Sequence, residues 1–236
     1  MNCNNSTNFG GHMRQRSIVA ILVALMLWAS GGAVCAQESA PAGDAAEITA
    51  RMQEKYEALT GFSADIVQRL TNAANGSTQT RTGALAFKNP SLVRWQTATP
   101  EQELLVVGQD AVWDYFPEEG TAYRYTVEQV LGSKTMLRFL SGKARLDEEF
   151  YVTPQGREDG YIKLELIPHT PESNLVQAYL WLTPESFLLR RVVIVDFFGN
   201  ENDVTLTKLH LNPDFPVGHF TFTPPEDVEI VENSKP

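Results

Sequence analysis

Cysteine is nearly absent. Cys3 and Cys35 are the only two, and both precede residue 37, so whatever folds after them must rely on a hydrophobic core rather than on disulfides. Histidine is also scarce, with four in the chain. His169 lies in a Pro/Ser/Asn-rich turn that faces solvent. His210 and His219 flank LNPDFPVG with no third ligand at a recognisable spacing, which argues against a metal or any other cofactor. No G-x-S-x-G elbow, Walker loop or dinucleotide fingerprint occurs, which removes the commonest hydrolase and nucleotide chemistries. The run Asp147, Glu148, Glu149 reads as solvated charge at a strand start rather than as a general acid and base. Nothing here points to an enzyme.

Positive charge is in deficit as well. The formal net charge is −10, which disfavours nucleic acid and anionic membrane surfaces as partners. Long apolar runs are missing except for IVAILVALMLW near the start, too short to span a bilayer. That run follows the basic MRQRS that begins at Met13, an alternative translation start, and precedes the small-residue exit ASGGAVCA. This is the anatomy of an export signal over residues 1–36, with Val34 and Ala36 suited to cleavage before Gln37. Cys35 could suggest lipidation, but bulky Val34 before it disfavours that, so soluble export without a stable membrane anchor is expected. Loss of Arg14 and Arg16 with the signal brings the charge to about −12. Roughly 200 residues remain, 37–236, enough for one domain.

Within that domain strand patterns dominate. Gly83–Lys88, Leu92–Thr97, Glu103–Val107 and Ala111–Phe116 are short, rich in β-branched and aromatic residues, and end at turn formers. Short links between them predict an antiparallel meander. Before it, Ile48, Met52, Tyr56 and Leu59 recur at helical spacing after a capping Asp44, with Gly61 ending the run. Phe62–Thr71 alternates, Asn72–Gly76 turns, and Ser77–Thr82 returns. After it, Ala122–Val127 is strand-like and Glu128–Gly142 suggests one or two short helices. Further strands follow at Glu148–Thr153, Tyr161–Ile167, Gln177–Leu182, Leu188–Phe197 and Asp203–Leu211, with HFTFTPP as a short final element. The expected fold is mainly β: an antiparallel sheet of about eleven strands, too wide to stay flat, curling toward a barrel or half-barrel.

Such a sheet has a concave side. Phe62, Ile66, Phe87, Val93, Trp95, Leu105, Val107, Trp113 and Tyr115 can share it, facing Tyr56 and Leu59 from the first helix and Met136, Leu137 and Leu140 from the second helical segment. A packed core is the plainer account of these residues. Two helices, however, cover so wide a sheet poorly, and an apolar cavity without catalytic groups would bind something apolar, such as lipid.

Several spaced motifs add a resemblance. They are Gly61-Phe62-x-Ala64-x-x-x-Gln68; Gly83-x-Leu85-x-Phe87-Lys88-x-Pro90-x-x-x-Arg94-Trp95; Leu105-Val106 followed by Gly108-Gln109 and Val112-Trp113-x-Tyr115-x-Pro117; and Phe220-x-Phe222-x-Pro224-Pro225. In this order they resemble the periplasmic lipoprotein-carrier family. That resemblance implies an unclosed β-barrel of eleven strands under a lid of helices, with Phe87 and Trp95 among the cavity aromatics and Met136–Leu140 in the lid. It implies a periplasmic chaperone that takes acylated lipoproteins from an inner-membrane ABC-type release complex and passes them to an outer-membrane receptor lipoprotein. In well-studied members an Arg before the strand-turn Pro latches the lid; here that position is Asn89, shorter and uncharged. A carrier of another lipid or glycolipid, or a non-enzymatic envelope assembly protein using the open sheet edge, are the alternatives.

Overall fold

The computed structural model describes residues 43–132 and 136–232; the expected export signal lies outside them. The first element is helix α1 (Ala45–Ala58), capped by Asp44, whose side chain accepts from the Ala46 N–H at 3.4 Å. Its stripe of Ile48, Met52 and Tyr56 is buried, and the hydroxyl of buried Thr49 is satisfied by the Ala45 carbonyl at 3.0 Å. Strands β1 (Gly61–Thr71), β2 (Thr78–Lys88), β3 (Leu92–Thr99), β4 (Glu103–Val107), β5 (Val112–Phe116) and β6 (Thr121–Tyr125) then run as a meander. Helices α2 (Val127–Gly132), α3 (Met136–Leu140) and α4 (Leu146–Glu149) interrupt it. Strands β7 (Phe150–Glu158), β8 (Tyr161–Pro168), β9 (Gln177–Leu182), β10 (Leu189–Val195), β11 (Glu201–Leu211) and β12 (Glu229–Glu232) complete the chain.

All twelve strands form one sheet in the order β12-β6-β5-β4-β3-β2-β1-β11-β10-β9-β8-β7. Only β12 runs parallel to its neighbour; the other pairs are antiparallel. Strand β11 closes back on β1, so the two meanders join through the long central pair. The end strands β12 and β7 do not pair with each other, and the sheet stays an open half-barrel with helices over one face. The expected fold class is therefore what the chain adopts.

Several local expectations are corrected. Ser77–Thr82 and Gly83–Lys88 are one strand with a bulge against β3 between Thr82 and Gly83. A Cβ on Gly83 would lie 1.9 Å from the Gln96 carbonyl oxygen, so only glycine allows this approach. The charge run Asp147–Glu149 begins no strand. It forms α4, and Glu149 accepts from the Arg138 guanidinium at 2.7 Å and the Arg145 N–H at 3.0 Å. HFTFTPP is not a strand either; Pro216, Pro224 and Pro225 deny a ladder the donors it needs, and the segment docks through its aromatic rings instead. The terminal strand is Glu229–Glu232.

Candidate functional site

Register assigns the faces, because residues directly opposite one another across an antiparallel pair share a side. One inner row is Phe62–Phe87–Val93–Val107–Val112–Tyr125, and the next is Ala64–Leu85–Trp95–Leu105–Asp114–Tyr123. Beyond them lie Ile66, Gly83, Thr97 and Glu103, then Gln68 opposite Arg81. In the other half of the sheet Val204, Val192, Leu180 and Leu164 continue the inner face, fully buried. Across β1–β6 the inner face is thus apolar toward the α1 end and becomes polar two or three rows along, whereas the row of Gln68 stays apolar across β11, β10, β9 and β8.

Helices cover the apolar part. Helix α1 contributes Ile48, Met52 and Tyr56, and α3 contributes Met136, Leu137, Phe139 and Leu140, all in one hydrophobic cluster with the inner rows. The Tyr56 ring meets Phe62 edge-on at 6.4 Å, and Phe62 lies 5.5 Å from Phe87. The Tyr56 hydroxyl accepts from the Leu189 N–H at 3.4 Å, and burial pushes its pKa far above the ordinary phenol value. Gly142, just past α3, has φ +67° and presses on that ring: a Cβ there would come within 2.4 Å of it. A cleft of 640 Å³ opens at the polar end, lined by Leu70, Gln79, Met136, Ile194 and Asn202 among others.

Of the candidate residues, Tyr56, Phe62, Ile66, Phe87, Val93, Trp95, Met136, Leu137 and Leu140 are brought together in this cluster, with Leu105 packed against it. Trp95 and Met136 are 7 % and 8 % exposed, so the inner face is closed over. Trp113 and Tyr115 are not brought there. Because Val107 pairs with Val112 across the β4–β5 turn, the odd positions of β5 face outward. Both rings pack instead on Phe222, at 5.9 and 5.1 Å. Asn89 reaches α1 rather than α3: its Nδ2 donates to the Leu59 carbonyl at 3.0 Å.

Sequence reasoning missed a polar row on the inner face. Gln68 Nε2 donates to Asn202 Oδ1 at 2.9 Å, and Arg81 donates to Gln68 Oε1 at 3.5 Å, to Thr97 Oγ1 at 3.2 Å and to Glu103. Asp114 lies next to this row; burial pushes its carboxyl up to about 6, with Arg81 pulling the other way. Alternation along VWDYF placed Asp114 opposite Trp113 and Tyr115, but which side faced in depended on the turn. Among the described residues no cluster of His, Cys, Asp and Glu could hold a metal ion, and no helix is long and apolar enough to cross a membrane.

The model of the family described as outer membrane lipoprotein carrier protein LolA matches residues 57–223. The chain belongs to the outer-membrane lipoprotein carrier family. It is 27 % identical over 178 residues to the outer-membrane lipoprotein carrier protein of Bordetella avium, covering 75 % of this chain and 82 % of that one. With the corresponding protein of Bordetella pertussis it shares 28 % over 202 residues, 85 % of this chain and 93 % of the relative. An uncharacterised conserved protein from Thermus thermophilus has the same fold, with TM-score 0.50 and 14 % identity over 80 % of this chain and 98 % of the other. As a member of the outer-membrane lipoprotein carrier family, the chain is a periplasmic lipoprotein chaperone and not an enzyme.

Proposed function

We propose that the inner face receives the acyl chains of a lipoprotein when α2 and α3 swing away from it, and gives them up when they return. In this reading residues 1–36 are the cleaved export signal, cargo arrives from an inner-membrane ABC-type release complex, and it leaves to an outer-membrane receptor lipoprotein. The residues in contact with the chains are Phe62, Ile66, Phe87, Val93, Trp95 and Leu105, with Tyr56, Met136, Leu137 and Leu140 as the displaced or reshaped cover.

The observation that carries this reading is the shortness of the cover. The described helical stretches Val127–Gly132, Met136–Leu140 and Leu146–Glu149 are short, and even the whole span from Val127 to Leu140 is no longer than the roughly 12–15 residues at which an isolated helix is marginal in water. Arg138 of α3 pairs with Glu149 of α4, but what holds α3 against the sheet is side-chain burial, chiefly Met136, Leu137, Phe139 and Leu140, worth on the order of 6–12 kcal/mol in all. A sixteen-carbon chain in water costs about 12 kcal/mol at 0.8 kcal/mol per CH₂. The two quantities are comparable, so chains can replace the cover without making release prohibitive. Small differences in affinity between carrier and receptor then direct transfer, since about 1.4 kcal/mol is tenfold.

The test is whether the mature protein keeps a triacylated cysteine lipopeptide soluble, without detergent, as a one-to-one complex. Wild type is expected to do so, and Met136→Asp to lose it while retaining its circular dichroism. A lipopeptide that stays aggregated with wild type, or is held equally well by Met136→Asp, would overturn the reading. Mass spectrometry of what co-elutes with the native protein separates lipoprotein cargo from free lipid or glycolipid.

A further inference from the structure

The polar row is hard to explain as packing alone. It begins at Asn202, which lines the cleft, and passes through Gln68 and Arg81 to Thr97 and Glu103 by hydrogen bonds. Asp114 lies beyond it on β5, two residues along from fully buried Val112 and opposite Leu105 and Tyr123. Its Oδ1 is buried and has no hydrogen-bond partner. A buried acceptor left unpaired is costly, more so when charged. Arg81, the nearby cation, donates its bonds to Gln68, Thr97 and Glu103. Asp114 therefore has charge compensation without a donor.

We propose that Asp114 Oδ1 accepts a hydrogen bond from the nitrogen of the cargo's acylated cysteine, so that the inner face recognises a lipidated amino terminus and not acyl chains alone. The inference rests on the acyl-binding reading of the inner face. Fatty chains occupy the apolar rows near Phe62, Phe87 and Val107, and the cysteine sits beside Asp114, where those rows give way to Thr97 and Glu103. Side chains two residues apart along a strand are about 7 Å from each other, so the step from Val112 to Asp114 matches the passage from chain to head group. The donor is either the amide N–H of a triacylated cysteine or the α-ammonium of a diacylated one. Both present N–H next to a diacylglyceryl thioether. An ammonium would also gain from the negative charge of Asp114 and Glu103, whereas an amide needs only the acceptor.

The experiment uses the mature protein and three probes: a triacylated cysteine lipopeptide, a diacylated one with a free amino terminus, and a triglyceride of the same chain length that has no nitrogen. Each is titrated by displacement of a fluorescent fatty acid. Asp114→Leu should weaken both lipopeptides roughly tenfold and leave the triglyceride unchanged. Asp114→Asn keeps an acceptor without charge. Selective loss of the diacylated probe in that variant assigns the ammonium, and equal retention of both assigns the amide. Lipopeptide affinities in folded Asp114→Leu equal to wild type would overturn the proposal while leaving the acyl-binding reading intact. Failure of wild type to bind any of the three probes would remove that reading and this proposal together.

Discussion

Strands β3 to β5 carry apolar side chains on both faces, yet the two faces are covered in different ways. On the inner face Val93, Trp95, Leu105 and Val107 lie under helices whose contact with the sheet is side-chain burial, with the Arg138–Glu149 pair joining α3 to α4 rather than to the strands. On the outer face Val106 and Trp113 lie in one row with Arg94 and Arg124, under the segment from Phe215 to Glu232. That segment is tied repeatedly. Arg94 donates to the His219 carbonyl at 3.4 Å, Phe222 meets two rings of β5, and β12 adds a backbone ladder to β6. A hydrogen-bonded, laddered cover must break specific bonds to leave, whereas a cover held by greasy contact can be replaced by any greasy ligand. Under the acyl-binding proposal, that difference would leave one side of the sheet fixed and the other exchangeable.

The comparison is tested most severely by charging each face. Trp95→Asp, which removes a buried aromatic and leaves a carboxylate in its place, should destabilise the protein by about 4 kcal/mol in urea unfolding and abolish lipopeptide binding. Trp113→Asp should cost less, about 2 kcal/mol, and leave lipopeptide affinity unchanged. Equal loss of binding in the two variants would break the assignment of faces.

Gly142→Ala acts on the helical cover, at the contact between the end of α3 and Tyr56 of α1. With φ +67° and the Tyr56 ring within 2.4 Å of the new methyl, it should weaken closure by about 1–3 kcal/mol. Stopped-flow fluorescence should then show a hydrophobic probe entering severalfold faster than in wild type. An unchanged rate would mean that the end of α3 is not part of what opens.

Asp114 sharpens the contrast through pH. Its folded carboxyl titrates near 6, above the unfolded value of about 3.9, so the folded state holds the proton more tightly. The direction follows: this residue lowers stability as pH rises from about 4 to 6, and its contribution is level above that. Burial raises the midpoint and Arg81 lowers it, while Leu105 and Tyr123 flank the carboxyl on the neighbouring strands. Relative to Asp114→Asn, wild type should lose about 1–2 kcal/mol across that interval, with solvent reaching part of the carboxyl. Denaturation midpoints at pH 4 and pH 7.5 for both proteins read this out, and parallel pH dependences would place Asp114 in water.

The smallest effects belong to Asn89. Removing its bond to the Leu59 carbonyl in Asn89→Ala should cost about 1 kcal/mol. A hollow of 260 Å³ beside it, bounded by Glu57, Ser141 and Gly142 among others, has room for a longer side chain that could bridge α1 to the end of α3. Asn89→Arg should therefore slow probe entry a few-fold; entry at the wild-type rate would show that this position does not latch the cover.

Much was legible in the residues themselves. The capped stripe of Ile48, Met52 and Tyr56 specifies a helix, and alternation with turn formers specifies most of the strands, because both signals are local periodicities of the chain. The motif spacing specified the family and the open sheet. Ten of the candidate residues lie in or against the buried cluster because large apolar side chains on strands and short helices have few places to go but inward. What sequence could not settle was which way β5 faced. Trp113 and Tyr115 looked like pocket aromatics, and only the pairing of Val107 with Val112 turned them outward and Asp114 inward. That outcome depends on the turn and on a distant partner, Phe222, more than a hundred positions away in the chain. The polar row had the same origin: Gln68, Arg81, Glu103 and Asn202 lie far apart in sequence and meet only because four strands align them. Local periodicity fixes what each segment is, whereas register, set by contacts between remote segments, decides which of its two sides faces the helices.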